Sequence, residues 1–256
     1  MSNKSFWNKE YASPEHLTLS TEHSSDLETF EKWAIRNSEW FPFPKDGVVL
    51  DVGCGNGRNS LYLCSQHNMK GIGFDISGVA VDQAKKATEQ LVKSTGKKID
   101  MNWFVQSASD PLPAESESVD VVIDLMTSHF LREKERERYV QEIVRVMKPY
   151  GWLLFKTFIL DGDFHAKRLI AEHPDTGEIM YDADGNKVGS TTSESNSYIH
   201  PRIGVYEHVW TESEIHQVFG PYFKIYKTIK SYKHVRDGKP YKRRTVSVYM
   251  EKKRLE

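Results

Sequence analysis

One short stretch carries the residue types and the spacing that could bind a ligand. The segment VVLDVGCGNGRN (48–59) places Asp51 two residues before a turn with glycines at alternate positions, Gly53, Gly55 and Gly57. Glycine loses more conformational freedom on folding than any other residue, so it is costly unless the backbone needs unusual dihedrals or a ligand approaches closely. The carboxyl ends of parallel strands are where α/β sheets bind ligands. The stretch therefore predicts a binding turn between a strand and a helix.

Two acids distinguish the classes of ligand that such a turn accepts. Dinucleotide sites use GxGxxG and place a pyrophosphate on the helix N-terminus, whereas this turn has GxGxG. Asp51 would repel a pyrophosphate but suits a ligand with an ammonium and a sulfonium. Asp75 ends the next apolar run, where an acid can accept both hydroxyls of a ribose. The pattern favours a positively charged nucleoside, and a nicotinamide oxidoreductase is the alternative.

The surrounding segments alternate between strand and helix patterns. The apolar runs predict strands, and Ser77 predicts the cap of a helix after the second one. The charged segment 132–149 predicts an amphipathic helix that ends at Pro149. Two alternating segments, joined around Asp237-Gly238, predict a closing antiparallel pair. This order predicts a parallel sheet with helices on both faces. The predicted strands are Val48–Asp51, Gly71–Asp75, Met101–Val105, Val119–Asp124, Trp152–Phe158, Phe223–Ile229 and Val246–Met250.

With these motifs, residues 45–160 resemble the class I S-adenosylmethionine-dependent methyltransferases. The stretch GCGNGRNSLYL is similar to the tellurite-resistance branch, and the opening FWNKEYA is similar to the start of several small-molecule members. The resemblance implies a three-layer α/β sandwich with a Rossmann-like sheet of seven mostly parallel strands. Their order would be 3-2-1-4-5-7-6, with strand 7 antiparallel and helices on both faces. It also implies S-adenosylmethionine as the cofactor and S-adenosylhomocysteine as the product.

The resemblance also implies the residues that contact the cofactor. Asp51 would hold the ammonium, Asp75 the ribose hydroxyls, and Ile76 would lie against the adenine. The family often has Gly-Asp-Ala after strand three, whereas this chain has Ser-Ala-Ser at 107–109, and Asp110 is the substitute for the missing acid. Turn and cap chemistry is the alternative for both Asp75 and Asp110. The full predicted set is Asp51, Gly53, Gly55, Asn56, Asp75, Ile76, Ser109, Asp110, Asp124 and Leu125, with the last two facing the methyl group.

The acceptor side of the site is predicted from position in the chain. We expect a single domain over 1–256, with a helical cap at 1–45 and an insertion or lid at 161–205 between strand five and the last helix. Within the insertion, Asp184-Gly185 predicts a hairpin turn. Trp7 and Tyr11 in the cap and His129 after strand four are the candidate substrate contacts, with packing as the alternative. His129 is also a candidate general base, and no other catalytic residue is assigned.

Composition excludes some classes of protein and leaves others open. The 256 residues carry a net charge of −1 and two cysteines, and no Cys/His cluster has zinc-ligand spacing, so we expect no metal. No apolar run could span a membrane, and the start lacks the core of a signal peptide, so we expect a cytoplasmic protein.

The predicted function is in-line transfer of a methyl group from S-adenosylmethionine to a small-molecule acceptor. From Lys224 onward there are twelve Lys/Arg against three Asp/Glu. A nucleic-acid methyltransferase that uses this basic closing hairpin is therefore one alternative. A non-catalytic cofactor-binding protein of the same fold is the other.

Overall fold

The computed structural model describes residues 3–16, 19–37, 43–177, 179–181, 187–190, 193–231, 234–236, 239–241 and 243–254. The helices are α1 (Asn3–Ala12), α2 (Ser25–Asn37), α3 (Arg58–His67), α4 (Gly78–Thr95), α5 (Glu133–Val146), α6 (Phe164–Glu172) and α7 (Glu212–Phe219). The strands are β1 (Val48–Val52), β2 (Lys70–Asp75), β3 (Met101–Val105), β4 (Val119–Leu125), β5 (Met147–Phe158), β6 (Ile179–Tyr181), β7 (Lys187–Ser190), β8 (Ser197–Ile199), β9 (Tyr206–His208), β10 (Phe223–Ser231), β11 (His234–Arg236), β12 (Lys239–Tyr241) and β13 (Thr245–Lys252).

Seven of these strands form the central sheet, in the order β3-β2-β1-β4-β5-β13-β10. Counted along the chain, these seven strands stand in the order 3-2-1-4-5-7-6, as predicted. β13 is antiparallel to both of its neighbours, β5 and β10, and the other pairs are parallel. The predicted fold class is confirmed. The order reverses between β1 and β4, which is where a sheet of this kind opens a crevice for a ligand.

Apolar side chains cover the two faces of the sheet separately. On one face α5 and α7 bury Ile143 and Phe219 against β4, β5 and β13. On the other face α2 and α3 bury Phe30 and Leu63 against the same central strands. Fully burying a side chain such as Phe30 contributes about 1.5–3 kcal/mol. The central strands therefore have little freedom to move, and their carboxyl ends form a fixed platform.

The boundary between α5 and β5 differs from its prediction. The helix ends at Val146, and Met147–Phe158 is already extended, so the prediction that Pro149 ends the helix was wrong. Proline restricts the residue before it to extended dihedrals, which moves the end of the helix upstream. Pro149 instead lies near the start of β5, where the pairing with β4 is irregular between Val119 and Val121.

The segments outside the sheet form small elements of their own. The segment 1–45, predicted as a cap, contains α1 and α2, and the segment 161–205, predicted as an insertion, contains α6, the antiparallel pair β6–β7 and β8. The predicted turns Asp184-Gly185 and Asp237-Gly238 lie outside the described residues. Among the residues that the structure describes, no helix combines the length and apolar character that crossing a bilayer requires. Within the same ranges no group of three or more His, Cys, Asp or Glu side chains could hold a metal ion.

Candidate functional site

The turn after β1 has the left-handed backbone that its glycines permit. The φ angles are 63° at Gly53, 55° at Gly55 and 78° at Gly57. A Cβ at Gly53 would clash with the Thr127 Oγ1, and a Cβ at Gly55 would clash with the Tyr11 hydroxyl. Both positions therefore require glycine for the dihedral and for the space.

Asp75 fixes this turn against the end of β2. Its Oδ2 accepts a hydrogen bond from the Gly55 N–H at 3.0 Å, and its Oδ1 accepts one from the Ser77 N–H at 2.8 Å. Burial raises the pKa of the Asp75 carboxyl, and the two backbone donors act against that rise. Each carboxylate oxygen accepts about two hydrogen bonds, so Asp75 retains acceptor capacity for a pair of hydroxyls.

Asp51 differs, because one of its oxygens is unsatisfied. The side chain is 2% exposed, and its Oδ2 is buried without a hydrogen-bond partner. Burial raises the pKa of this carboxyl to about 7, although Ser60 hydrogen-bonds to it and acts in the opposite direction. Buried polar atoms are nearly always paired, so an unpaired carboxylate oxygen beside the glycine turn calls for an explanation. A ligand ammonium would supply the missing partner.

Two neighbouring cavities lie at this edge of the sheet, beneath α1. The apolar cavity has a volume of about 220 Å³, and Trp7, Asp75, Ile76, Ser107 and Phe130 are among the residues that line it. The polar cavity has a volume of about 190 Å³, and the glycine turn, Asn56, Arg58 and Lys156 are among its lining residues. Both cavities share five lining residues, which mark their junction: Tyr11, Leu19, Gly53, Leu125 and Met126.

Asp124 does not line either cavity, although the sequence predicts it there. It is fully buried, and it accepts hydrogen bonds from the Tyr139 hydroxyl at 2.9 Å and the Thr127 N–H at 3.0 Å. The Thr127 hydroxyl donates in turn to the Val52 carbonyl at 2.9 Å. Asp124 thus holds the turn after β4 in place, while its neighbour Leu125 reaches both cavities.

Ser109 and Asp110 form a local turn instead of a cavity wall. The Ser109 and Ser107 hydroxyls hydrogen-bond to each other at 2.8 Å. The Asp110 Oδ2 accepts from the Ser107 N–H at 3.3 Å. The residues of this segment that line the apolar cavity are Gln106, Ser107 and Ala108.

His129 also lies outside both cavities. It is 1% exposed, and its ring packs 4.0 Å from that of Phe130 and 5.1 Å from that of Phe158, measured between centroids. Burial lowers the pKa of this imidazole to about 3. A neutral histidine behind the cavity wall is not placed to take a proton from a molecule bound in front of it.

Many of the cavity residues were not predicted, among them Arg58, Met126, Leu19 and Lys156. Arg58 directly follows the glycine turn, so the sequence alone could have predicted its position at the start of α3. Met126, Leu19 and Lys156 reach the site only through tertiary packing. Met126 has a φ of 72°, which is unusual for a residue with a side chain, and its N–H donates to the Lys156 carbonyl at 2.9 Å.

The geometry fits S-adenosylmethionine. The unsatisfied Asp51 oxygen suits the ammonium, the remaining acceptor capacity of Asp75 suits the ribose hydroxyls, and the glycine turn leaves room for the ligand between them. A pyrophosphate at this turn would instead lie beside two acidic side chains, Asp51 and Asp75. The site is therefore that of a protein which binds a positively charged nucleoside.

Comparison with known proteins agrees with this class. Residues 49–151 match the family described as methyltransferase domain. An indolepyruvate C-methyltransferase of Streptomyces griseus is 30% identical over 90 residues, which cover 35% of this chain and 26% of that protein. A tRNA (carboxymethyluridine(34)-5-O)-methyltransferase of Arabidopsis thaliana is 31% identical over 126 residues, or 49% of this chain and 27% of that protein. This chain thus spans about a quarter of the length of these two relatives.

The solved structures agree with the fold. A SAM-dependent methyltransferase from Methanosarcina mazei superposes with a TM-score of 0.61 at 21% identity, covering 84% of this chain and 96% of that one. Residues 49–151 of the chain therefore form a methyltransferase domain with the fold of the class I S-adenosylmethionine-dependent enzymes, and S-adenosylmethionine is the cofactor of this domain.

Proposed function

We propose that the protein transfers the methyl group of S-adenosylmethionine to a small-molecule acceptor. The observation that carries this proposal is the unsatisfied Asp51 oxygen beside the glycine turn, because a ligand ammonium, directly or through a water molecule, supplies the donor that the protein does not. Asp51 itself lines neither cavity and lies behind the glycine turn that does. The nucleoside then lies in the apolar cavity, against Asp75 and Ile76, and the methionine part lies in the polar cavity.

The polar cavity is suited to the carboxylate of the methionine part. Arg58 and Lys156 both line it, and the N-terminus of α3 adds a partial positive charge. Lys156 is already paired with Asp26, and Arg58 donates to the Glu22 carbonyl through one Nη. Since the ion pair with Asp26 offsets the charge of Lys156, Arg58 is the principal candidate for the cofactor carboxylate.

The chemistry in the apolar cavity depends on orientation and on the exclusion of water. S-adenosylmethionine supplies a methyl group activated by its sulfonium. Positioning the two reactants can contribute on the order of 7–11 kcal/mol in well-aligned cases. Tyr11 and Asp75 are the ionisable side chains among the described residues that line this cavity. In the proposed complex the ribose hydroxyls occupy the remaining acceptor positions of Asp75, and burial raises the pKa of Tyr11 so that the phenol keeps its proton, so neither is assigned as a base. The acceptor therefore carries a free lone pair or ionises without help.

The charges of the closing strands favour a small acceptor over a nucleic acid. Lys230 pairs with Glu212, and Arg243 pairs with Glu207 at 2.7 Å, so part of the basic excess is neutralised internally. β10 and β13 also lie beyond β5, away from the cavities at β1, β2 and β4. A tRNA acceptor remains the second candidate, because one relative is a tRNA methyltransferase.

Two parts of the predicted organisation stay predictions. The described residues of the insertion at 161–205 line neither cavity, so a lid role has no support from these contacts. The single-domain organisation over 1–256 and the cytoplasmic location also stay predictions.

The experiment has a binding stage and a transfer stage. Calorimetry should show binding of S-adenosylmethionine and S-adenosylhomocysteine and none of NAD; the reverse result would refute the proposal. Labelled methyl donor is then supplied with either an RNA-free metabolite extract or total tRNA. We expect label in the metabolite fraction, whereas label in tRNA alone would refute the small-molecule acceptor and favour tRNA as the acceptor.

The role of Arg58 is tested with a truncated ligand. Arg58→Met should weaken S-adenosylmethionine binding about 10- to 100-fold, the range for a hydrogen bond to a charged group. The same variant should bind 5′-methylthioadenosine as the wild type does, because that ligand lacks the amino-acid part. Arg36→Met, at the exposed end of α2, is the matched control. Equal loss of both ligands would assign Arg58 a structural role only.

A further inference from the structure

The junction of the two cavities locates the sulfur of the cofactor. If the nucleoside occupies the apolar cavity and the methionine part the polar cavity, the sulfur that joins them lies where the cavities meet. Tyr11 from α1 and Met126 from the end of β4 are both junction residues. This step rests on the proposed function, because it uses the placement of the cofactor given above.

The backbone of Tyr11 is held at the junction by contacts between α1 and α4. The Gln83 side chain of α4 donates to the Tyr11 carbonyl at 2.8 Å. One turn earlier, the Asn8 Oδ1 accepts from the Ser77 hydroxyl at 2.9 Å. The Tyr11 hydroxyl lies so close to Gly55 that a Cβ there would clash with it. The hydroxyl end of the side chain thus lies over the glycine turn, and α4 holds the part of α1 that carries it.

The charges around Tyr11 favour a cation at this position. Burial, followed by the carboxylates of Asp75 and Asp51, raises the pKa of the phenol, and Arg58 acts in the opposite direction. The side chain is therefore neutral at physiological pH, and two acids lie within electrostatic range of it. A neutral aromatic ring beside two acids attracts a desolvated cation through its π face.

We propose that Tyr11 recognises the positive charge of the sulfonium, so that the site prefers S-adenosylmethionine over the neutral product S-adenosylhomocysteine. The two ligands differ by the methyl group and its charge, while their nucleoside and amino-acid contacts are shared. Transfer of the methyl group removes the charge, which weakens the contact with α1 and favours release of the product. Tyr11 would then be a cofactor residue and not the substrate contact that its position in the sequence suggests.

The test compares dissociation constants for the two ligands by calorimetry. Cation–π contacts correspond to a loss of roughly threefold to thirtyfold in affinity. Tyr11→Leu should therefore reduce the preference for S-adenosylmethionine by that factor. Tyr11→Phe keeps the ring and should keep the preference. Trp7→Leu is the matched control on the same helix; it lines the apolar cavity only, so it should weaken both ligands equally.

The outcomes separate this inference from the proposed function. If the wild type binds neither ligand, the proposed function fails. If the wild type binds both and Tyr11→Leu weakens them equally, Tyr11 does not read the charge and the inference is overturned. The same holds if Tyr11→Phe loses as much preference as Tyr11→Leu. Thermal melting establishes that each variant is folded, and Tyr11→Met replaces the leucine variant if that one fails to fold.

Discussion

Asp51 presents a conflict between stability and binding that a single substitution can expose. Asp51→Asn replaces the carboxylate with a neutral amide of the same shape at the end of β1. We predict that the variant without cofactor is more stable than the wild type at pH 8, and that it binds S-adenosylmethionine more weakly. Both effects follow from the buried oxygen that has no partner in the protein.

The magnitude follows from the pKa of Asp51. Burial raises this pKa from 3.8 to about 7. Each pKa unit corresponds to about 1.4 kcal/mol, so keeping the ionised carboxylate in the folded protein at pH 8 costs roughly 4 kcal/mol. The amide of the variant leaves a buried N–H unpaired, which costs about 1–3 kcal/mol. The variant should therefore gain roughly 1–3 kcal/mol. For a chain of this size, this corresponds to an increase of roughly 2–12 °C in Tm.

The raised pKa of Asp51 also fixes the direction in which the free energy of unfolding changes with pH. The folded protein has the higher pKa, so it holds a proton that the unfolded chain has already released between pH 4 and 7. The contribution of Asp51 to stability is complete below pH 3.8 and is lost as the pH rises through about 7. The advantage of the variant should therefore grow between pH 5 and pH 8 and become constant above.

The assay is thermal unfolding of the cofactor-free proteins from pH 5 to pH 9, with Asp82→Asn as the control. The Asp82 side chain is 70% exposed, so its removal should leave the profile unchanged. Calorimetry at pH 8 should show a loss of about 10- to 100-fold in affinity for S-adenosylmethionine. Near pH 6, wild-type binding should release a proton, so the heat should depend on the buffer. Parallel pH profiles for Asp51→Asn and the wild type, or an unchanged affinity, would refute the reasoning.

Two further substitutions test the parts that support this site. Gly55→Ala should almost abolish S-adenosylmethionine binding in calorimetry, because the new Cβ meets the Tyr11 hydroxyl. Gly96→Ala is the control, because Gly96 has the same left-handed backbone but open space around it; this variant should lose only about 1–2 kcal/mol of stability and retain binding. Tyr139→Phe removes a donor to the buried Asp124 carboxylate and should cost about 1–3 kcal/mol in urea unfolding, and a loss under 0.5 kcal/mol would contradict the assigned bond.

The sequence alone was sufficient to predict those features of the fold and the site that depend on residues close together along the chain. Glycines at alternate positions after an apolar run predict a left-handed turn, because no other residue adopts those dihedrals cheaply. Gly53, Gly55 and Asp75 accordingly lie where they were predicted, and the strand order agrees with the family resemblance. The end of α5 was predicted too far along the chain. Pro149 disfavours helical dihedrals in the residue before it, and Met147 already pairs with Val119 of β4, so the helix ends upstream of the proline.

The remainder of the site depends on contacts between distant segments. Asp51 and Asp124 look alike in the sequence, since each closes a short run of Val, Leu or Ile at the end of a central strand. Their difference arises from Tyr139 of α5, which donates to Asp124, whereas no donor reaches the second oxygen of Asp51. Met126 gives no sequence signal for its left-handed conformation, because the bonds around Asp124 impose it.

The aspartates at the ends of β1, β2 and β4 therefore differ in how much of their hydrogen-bond acceptor capacity the protein leaves open to a ligand, which decreases from Asp51 to Asp75 to Asp124. Asp51 has an unpaired oxygen, and Asp75 has each oxygen bonded once to the backbone. Asp124 accepts two backbone donors at Oδ1 and the Tyr139 hydroxyl at Oδ2. A fully satisfied acid stabilises the fold and contributes nothing to a ligand, whereas an unsatisfied one costs stability until a ligand binds. The ammonium is thus expected at β1, the ribose at β2 and a structural anchor at β4. The three side chains are chemically identical, so the assignment depends on the number of hydrogen-bond donors that reach each carboxyl group.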